Sequence, residues 1–281
     1  MNLRSALRTL VPSRLRKFLR GSLRRLDARL PIHRLRCPVC GLGVRRFVSL
    51  TAFIDQLCEA GFPRGRVKRL ETLNVDQYQC PHCKASDRDR LMALWLAQEV
   101  PAVARTRRIR LLDIAPSTPL SRRLSRARGI ERRTADLMRN DVDDRVNIMD
   151  MRCYESCSFD GFICSHVLEH VPDDKAAMRE LYRVLAPDGW GIALVPIFDD
   201  IAGVDEDPAA SESERIRRFG QHDHVRAYNR SGFVDRLTEA GFRVQLFGSE
   251  SFGAHRFERF AILTTSVLYI VRKPTTNPTN D

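Results

Sequence analysis

The rhythm of apolar and polar positions changes near residue 108. Beyond it, apolar runs near 110–114, 132–136, 146–149, 160–165, 190–197, 242–247 and 266–272 predict strands. Between them, apolar residues at helical spacing predict helices over 118–127, 174–186 and 230–240. Strands alternating with helices imply an α/β fold, a doubly wound and mostly parallel sheet covered on both faces. Upstream, Ser86 is the expected N-cap of a helix whose first turn holds Asp87 and Asp89, with Pro101 expected to close it. Residues 1–30 read as a basic amphipathic helix broken at Pro12: Leu3, Leu7 and Leu10 recur at helical spacing, then Leu15, Phe18, Leu19, Leu23 and Leu26. The polar, proline-punctuated stretch 274–281 reads as a disordered tail.

Charge sharpens this picture by its distribution. The 281 residues carry a formal net charge of +12. Residues 1–36 hold eleven basic side chains and one acid, Asp27, so the remainder is close to neutral. A near-neutral body argues against a phosphate-backbone substrate. The basic segment suits an anionic membrane surface, with packing on the body or a partner, an RNA-binding arm and a targeting peptide as the other readings. No stretch has the length and apolarity of a membrane span, and the N-terminus lacks the unbroken apolar run of a secretory signal. The expected location is the cytoplasm, peripheral to the inner membrane surface if residues 1–30 bind it.

Four of the eight cysteines form two pairs, Cys37 with Cys40 and Cys80 with Cys83. Two residues between cysteines let one tight turn aim both thiolates at a single ion, and two such knuckles complete a tetrahedral shell. Cys37, Cys40, Cys80 and Cys83 are therefore expected to hold a structural zinc ion, with His82 a bystander. The 39 residues between the knuckles exceed a zinc ribbon's usual gap, so a helix near 52–60 and a hairpin are expected there. The organisation that follows is a helical segment at 1–36, a zinc module with connecting helix at 37–103, an α/β domain at 104–273 and the tail.

A nucleotide-like ligand on a doubly wound sheet binds beyond the carboxyl ends of the central strands, and its ribose needs an acidic acceptor at the end of the second strand. The first strand ends Leu112-Asp113-Ile114-Ala115 and the second Ala135-Asp136-Leu137, with Asp136 lying 23 residues after Asp113. The next apolar run ends in Asp150-Met151, a carboxylate suited to an adenine amino group. Two further blocks follow. One runs Ser158-Phe159-Asp160-Gly161-Phe162-Ile163-Cys164-Ser165-His166-Val167-Leu168-Glu169-His170-Val171, and the other Leu181-Tyr182-Arg183-Val184-Leu185-Ala186-Pro187-Asp188-Gly189-Trp190.

These blocks resemble the class I S-adenosylmethionine-dependent methyltransferases, type 11 branch, over roughly residues 108–273. The segment His224-Val225-Arg226-Ala227-Tyr228, followed by a helix ending Glu239-Ala240-Gly241-Phe242, extends the resemblance. It implies a Rossmann-like sheet of seven strands, the last antiparallel. It places the methionine end of S-adenosylmethionine on the turn Asp113, Ala115, Pro116 and Ser117, the ribose on Asp136-Leu137, adenine on Asp150-Met151, and the sulfonium beside Ser165 and His166. The family's first turn is usually Asp-x-Gly-x-Gly, whereas this chain reads Asp113-Ile114-Ala115-Pro116-Ser117, in which Ala115 adds a methyl group and Pro116 stiffens the turn and removes an N–H donor.

Methyl transfer from a sulfonium is an in-line displacement, so the protein chiefly aligns the nucleophile and excludes water. A base helps a hydroxyl or protonated amine, and His166 and His222 are the candidates. Residues 198–220, long and acidic at Asp205-Glu206-Asp207, read as a lid or acceptor-binding insertion. The expected acceptor is a small molecule, a glycan or a lipid-linked intermediate. An RNA methyltransferase gripping its substrate with the zinc module and basic arm, and a non-catalytic adaptor, are the alternatives.

Overall fold

The computed structural model describes residues 34–275. The expected basic helix over 1–30 and nearly all of the expected tail lie outside the described residues.

Seven strands form the central sheet: β3 (Ile109–Ile114), β4 (Ile130–Asp136), β5 (Asp144–Arg145), β6 (Phe159–Ser165), β7 (Leu185–Leu194), β10 (Arg243–Phe247) and β11 (Leu268–Arg272). Their order is β10-β11-β7-β6-β3-β4-β5. Pairing is parallel from β7 through β5 and antiparallel where β11 meets both β7 and β10. This is the seven-stranded Rossmann-like methyltransferase sheet implied by the resemblance. Its order reverses between β3 and β6, where such folds open their ligand crevice. Two-stranded ribbons join β1 (Leu35–Arg36) to β2 (Gly43–Val44) and β8 (Val204–Glu206) to β9 (Arg226–Tyr228).

The buried strands β3, β6 and β11 are predominantly apolar because helices cover both faces. Packing at the sheet centre leaves no space: a Cβ on Gly191 would meet the Phe162 ring at 2.1 Å. Helices α1 (Thr51–Glu59) and α2 (Arg64–Val67) lie between the knuckles, and α3 (Asp87–Val103) follows them. Helices α4 (Thr118–Leu124), α5 (Asp174–Val184) and α7 (Arg230–Glu239) occupy the expected crossovers. Helix α6 (Glu212–Phe219) falls within the 198–220 insertion, and the short α8 (Ser249–Phe252) and α9 (Ala254–Arg259) precede β11.

Four expectations are corrected. The apolar run 146–149 is a turn, because the Asn147 side chain accepts the Met149 N–H and its carbonyl accepts that of Asp150; the strand is the preceding Asp144–Arg145. Helix α3 continues past Pro101 to Val103. Proline there removes only the bond to the carbonyl of exposed Ala97, in the helix's last turn. Strand β7 begins at Leu185, five residues earlier than expected, with an irregular register against β6 between Phe159 and Gly161. The gap between the knuckles holds no hairpin. Instead Val48 and Gln79 bridge across it, bringing both ends of the inserted helices together.

The cysteine module is not a separate body. Cys37, Val44, Phe47, Cys80 and Ala85 belong to the same buried cluster as Trp95 and the sheet residues Leu112, Phe162 and Ile192. Trp95 meets Trp190 edge-on at 4.9 Å between ring centroids. Arg90, 0% exposed, ties the parts together. Its guanidinium donates to the carbonyls of Gln77, Tyr78 and Ala85 near the second knuckle, and to those of Phe260 and Ala261 after α9. Its face lies 4.0 Å from the Phe47 ring centroid.

Candidate active site

Ser86 caps α3 as expected, within a reciprocal box in which the Asp89 carboxylate accepts the Ser86 N–H. This box sets the α3 N-terminus against the carboxyl ends of β3 and β6. Between them is a cavity of about 330 Å³ lined by Asp113, Ala115, Ser117, Ser165 and His166, with Lys84, Ser86, Arg88 and Asp89 closing it from the module side.

Two buried polar atoms of this lining lack a partner, Asp113 Oδ2 and Ser165 Oγ. Asp113 is 2% exposed, and its nearest basic group is Arg132 at 3.8 Å. Burial pushes its carboxyl up to about 6. A carboxylate oxygen and a hydroxyl without hydrogen bonds, beside the Arg88 guanidinium, suit a ligand carrying both an ammonium and a carboxylate, as the methionine end of S-adenosylmethionine does. Ala115 has φ +47°, the left-handed conformation that glycine adopts without strain. The turn thus keeps a glycine-like backbone at a cost of order 1 kcal/mol. Pro116 faces elsewhere: it lines a second cavity of about 260 Å³ with Arg139, which donates to its carbonyl at 2.7 Å.

The other expected cofactor residues lie outside the first cavity. Asp136, half-buried at the end of β4, accepts the N–H groups of Met138 and Arg139 on Oδ1. Leu137 and Met138 beside it are 53% and 77% exposed, unusual for large apolar side chains. The Asp150 carboxylate pairs with Arg152. Met151 is buried, its N–H donated to Glu180 at 2.6 Å.

His166 stands at the end of β6 with φ +57°, the kind of strained backbone that clusters at functional sites. Arg88 Nη1 lies 3.2 Å from its Nε2, and its Nδ1 lies 3.1 Å from the Glu169 carboxylate, without the alignment of a hydrogen bond. Burial, reinforced by the Arg88 charge, lowers the imidazole to about 4, so it is neutral through the physiological range. With Arg88 donating to Nε2, that lone pair becomes available as a base only when the guanidinium turns to another partner. His222 is exposed and borders neither this cavity nor the next.

A third cavity, about 280 Å³ and predominantly apolar, opens on the other side of His166. Phe53, Ile54 and Phe62 from the inter-knuckle segment form one wall, and Phe198 and Phe219 from the 198–220 insertion form the other. It shares Tyr78, Arg88 and His166 with the first cavity, so the two meet at those side chains. Phe198, Phe219 and Gly220 of the insertion thus line a cavity that meets the first one. Tyr78, Ser86, Arg88 and Glu169 escaped assignment to the site from sequence. The alternating charges Asp87-Arg88-Asp89-Arg90 at a helix start were the available signal, since a solvated first turn does not need four.

The four cysteine thiols gather with all ligand atoms within 4.8 Å of one another. Sγ–Sγ distances are 3.7 Å for Cys37–Cys83 and 3.9 Å for Cys40–Cys80. A tetrahedral shell with bonds of about 2.3 Å has edges of ~3.8 Å, so the cluster already has the dimensions of a tetrathiolate metal site. His82 is not part of it; its Nε2 lies 3.3 Å from the Gly43 carbonyl oxygen.

The family model for the methyltransferase domain, type 11, matches residues 98–193. No curated protein sequence matches the chain. Among solved structures, the chain is similar to the cyclase SpnF, at 18% identity and TM-score 0.45, over 67% of this chain and 82% of that one. It is also similar to an S-adenosylmethionine-dependent methyltransferase from Archaeoglobus fulgidus, at 14% identity and TM-score 0.43, over 68% and 96%. A third is phosphoethanolamine N-methyltransferase 2 from Haemonchus contortus, in complex with S-adenosylmethionine, at 15% identity and TM-score 0.40, over 63% and 52%. With the strand order and the crevice at its reversal, the family match shows that the chain carries a methyltransferase domain over residues 98–193.

Proposed function

We propose that the enzyme methylates a small or lipid-linked molecule whose apolar body occupies the 280 Å³ cavity and whose nucleophile reaches toward His166. The observation that carries this reading is the meeting of a polar and an apolar cavity at Tyr78, Arg88 and His166. S-adenosylmethionine, when bound in the polar cavity, supplies the methyl group. The chain's own residues do the rest: Arg88 and Asp113 orient, the aromatic walls exclude water, and neutral His166 is the group placed to receive a proton. An apolar lining favours a lipid-like or aromatic acceptor over a bare glycan. Zinc in the cysteine cluster is part of the same proposal; a full thiolate shell leaves no open position, so its role is structural.

Incubating the enzyme with methyl-labelled S-adenosylmethionine and a cell extract tests the acceptor class. The label should enter the organic-soluble fraction. Phe53→Asp, which places a charge in the apolar wall at a half-exposed position, should cut that incorporation at least tenfold while leaving cofactor affinity unchanged. Label confined to RNA would overturn the reading in favour of the RNA alternative.

A further inference from the structure

The loop after β6 carries a second group of side chains with metal-ligand chemistry, unrelated to the cysteines. Glu169, His170 and His224 each bring one ligand atom within 4.8 Å of the others. Glu169 is 0% exposed, yet neither carboxylate oxygen has a hydrogen-bond partner. His224 is 2% exposed; its Nδ1 lies 3.0 Å from the Phe219 carbonyl and its Nε2 has no partner. A buried carboxylate with no aligned hydrogen bond, and only a ring nitrogen of neutral His166 at 3.1 Å from Oε1, is costly unless something cationic fills the gap.

The surroundings are those of a supported site. Hydrogen bonding to a carbonyl fixes His224 as the tautomer with a free Nε2 lone pair, and His170 Nδ1 lies 3.2 Å from the Asp223 carboxylate. Metal-binding histidines characteristically hold their second nitrogen in this way. The loop itself is clamped. Buried Arg226 donates to the carbonyls of Leu168, Val171 and Pro172, the Val225 N–H donates to the Glu169 carbonyl, and Tyr228 donates to Asp174 at 2.6 Å. The segment 224–228 thus acts as one device that orients Glu169 and His170 and contributes His224.

We propose that Glu169, His170 and His224 bind a divalent first-row transition-metal ion. Two imidazoles and a carboxylate suit zinc, iron, cobalt or nickel better than magnesium or calcium. Three protein ligands leave coordination positions open. Because His224 also lines the apolar cavity, those positions lie where an acceptor oxygen could bind, a link that rests on the acceptor reading above.

Cobalt(II) is the probe, added to protein whose cysteine site is already filled with zinc. One equivalent should bind with weak visible bands and without the strong near-ultraviolet absorption of cobalt thiolates. Glu169→Gln and the half-exposed His170→Ala should each weaken binding at least tenfold, while zinc remains at one per chain and the melting temperature of His170→Ala is unchanged. No cobalt uptake beyond the thiolate site, or equal affinity in His170→Ala and wild type, would overturn the proposal. Titrating S-adenosylmethionine into the cobalt-free protein separates this result from the methyltransferase assignment, since neither outcome depends on the other.

Discussion

Replacing Cys80 with serine should abolish the zinc binding proposed for the cysteine cluster and loosen the module that borders the polar cavity. Cys80 is completely buried and sits in the thiolate cluster. Zinc binding to structural sites of this type supplies on the order of 10–16 kcal/mol of apparent free energy in isolated finger peptides. Here only part of that is lost from global stability, because Phe47, Ala85 and Trp95 continue to pack against the sheet. A destabilisation of about 5 kcal/mol corresponds to a melting temperature lower by roughly 10–20 °C for a domain of this size. Cofactor affinity should fall as well, since the Cys80 backbone bonds Lys84 and Ala85, directly before the cavity-lining residues Ser86 and Arg88. Thermal unfolding together with zinc content measures both effects. A serine variant that keeps one zinc per chain and melts with the wild type would contradict the structural role.

Arg90→Ala should be nearly as damaging although Arg90 touches neither the cluster's metal position nor a cavity. Its guanidinium satisfies five carbonyls from two distant segments, 77–85 and 260–261, and stacks on Phe47. The Ala85 and Ala261 carbonyls keep donors from the Cys80 N–H and the Asn74 side chain, but truncation removes the guanidinium from the Gln77, Tyr78 and Phe260 carbonyls and opens a side-chain-sized void, together about 3–5 kcal/mol. Arg90→Lys should recover little, because an ammonium offers three donors from one point and cannot span carbonyls on both sides of a planar fork. Chemical denaturation of the two variants beside wild type measures the loss. Full stability in Arg90→Lys would show that charge alone, not the fork, holds the segments together.

The sheet was readable from sequence because β3, β6 and β11 are buried on both faces and leave predominantly apolar runs. The segment from Ser158 to Val171 was readable for a second reason: its polar members serve the site or its scaffold, so residue type and spacing both carried information. What escaped was set by tertiary contacts. Val146, Ile148 and Met149 have a strand's composition, but Asn147 turns the chain with its own side chain. Arg88 and Arg90 are two residues apart in one helix turn, yet one borders both cavities and the other is a buried brace. No local pattern distinguishes them. The catalytic candidates divide similarly: His166 is lodged between Arg88 and Glu169, whereas His222, equally plausible from sequence, is exposed.

The cofactor residues form the central claim, and Asp136 is the sharpest place to test it. Its Oδ1 is occupied by two backbone N–H groups, which leaves Oδ2 for the ribose hydroxyl that the family resemblance assigns to this residue. Asp136→Asn keeps the turn's acceptor and replaces the other oxygen with a donor, so it removes ribose recognition without dismantling the loop. Calorimetric titration of S-adenosylmethionine should show one site on the wild type and at least tenfold weaker binding to Asp136→Asn, equivalent to about 1.4 kcal/mol. Folded wild-type protein that takes up no S-adenosylmethionine, or a variant that binds it as tightly, would contradict the account.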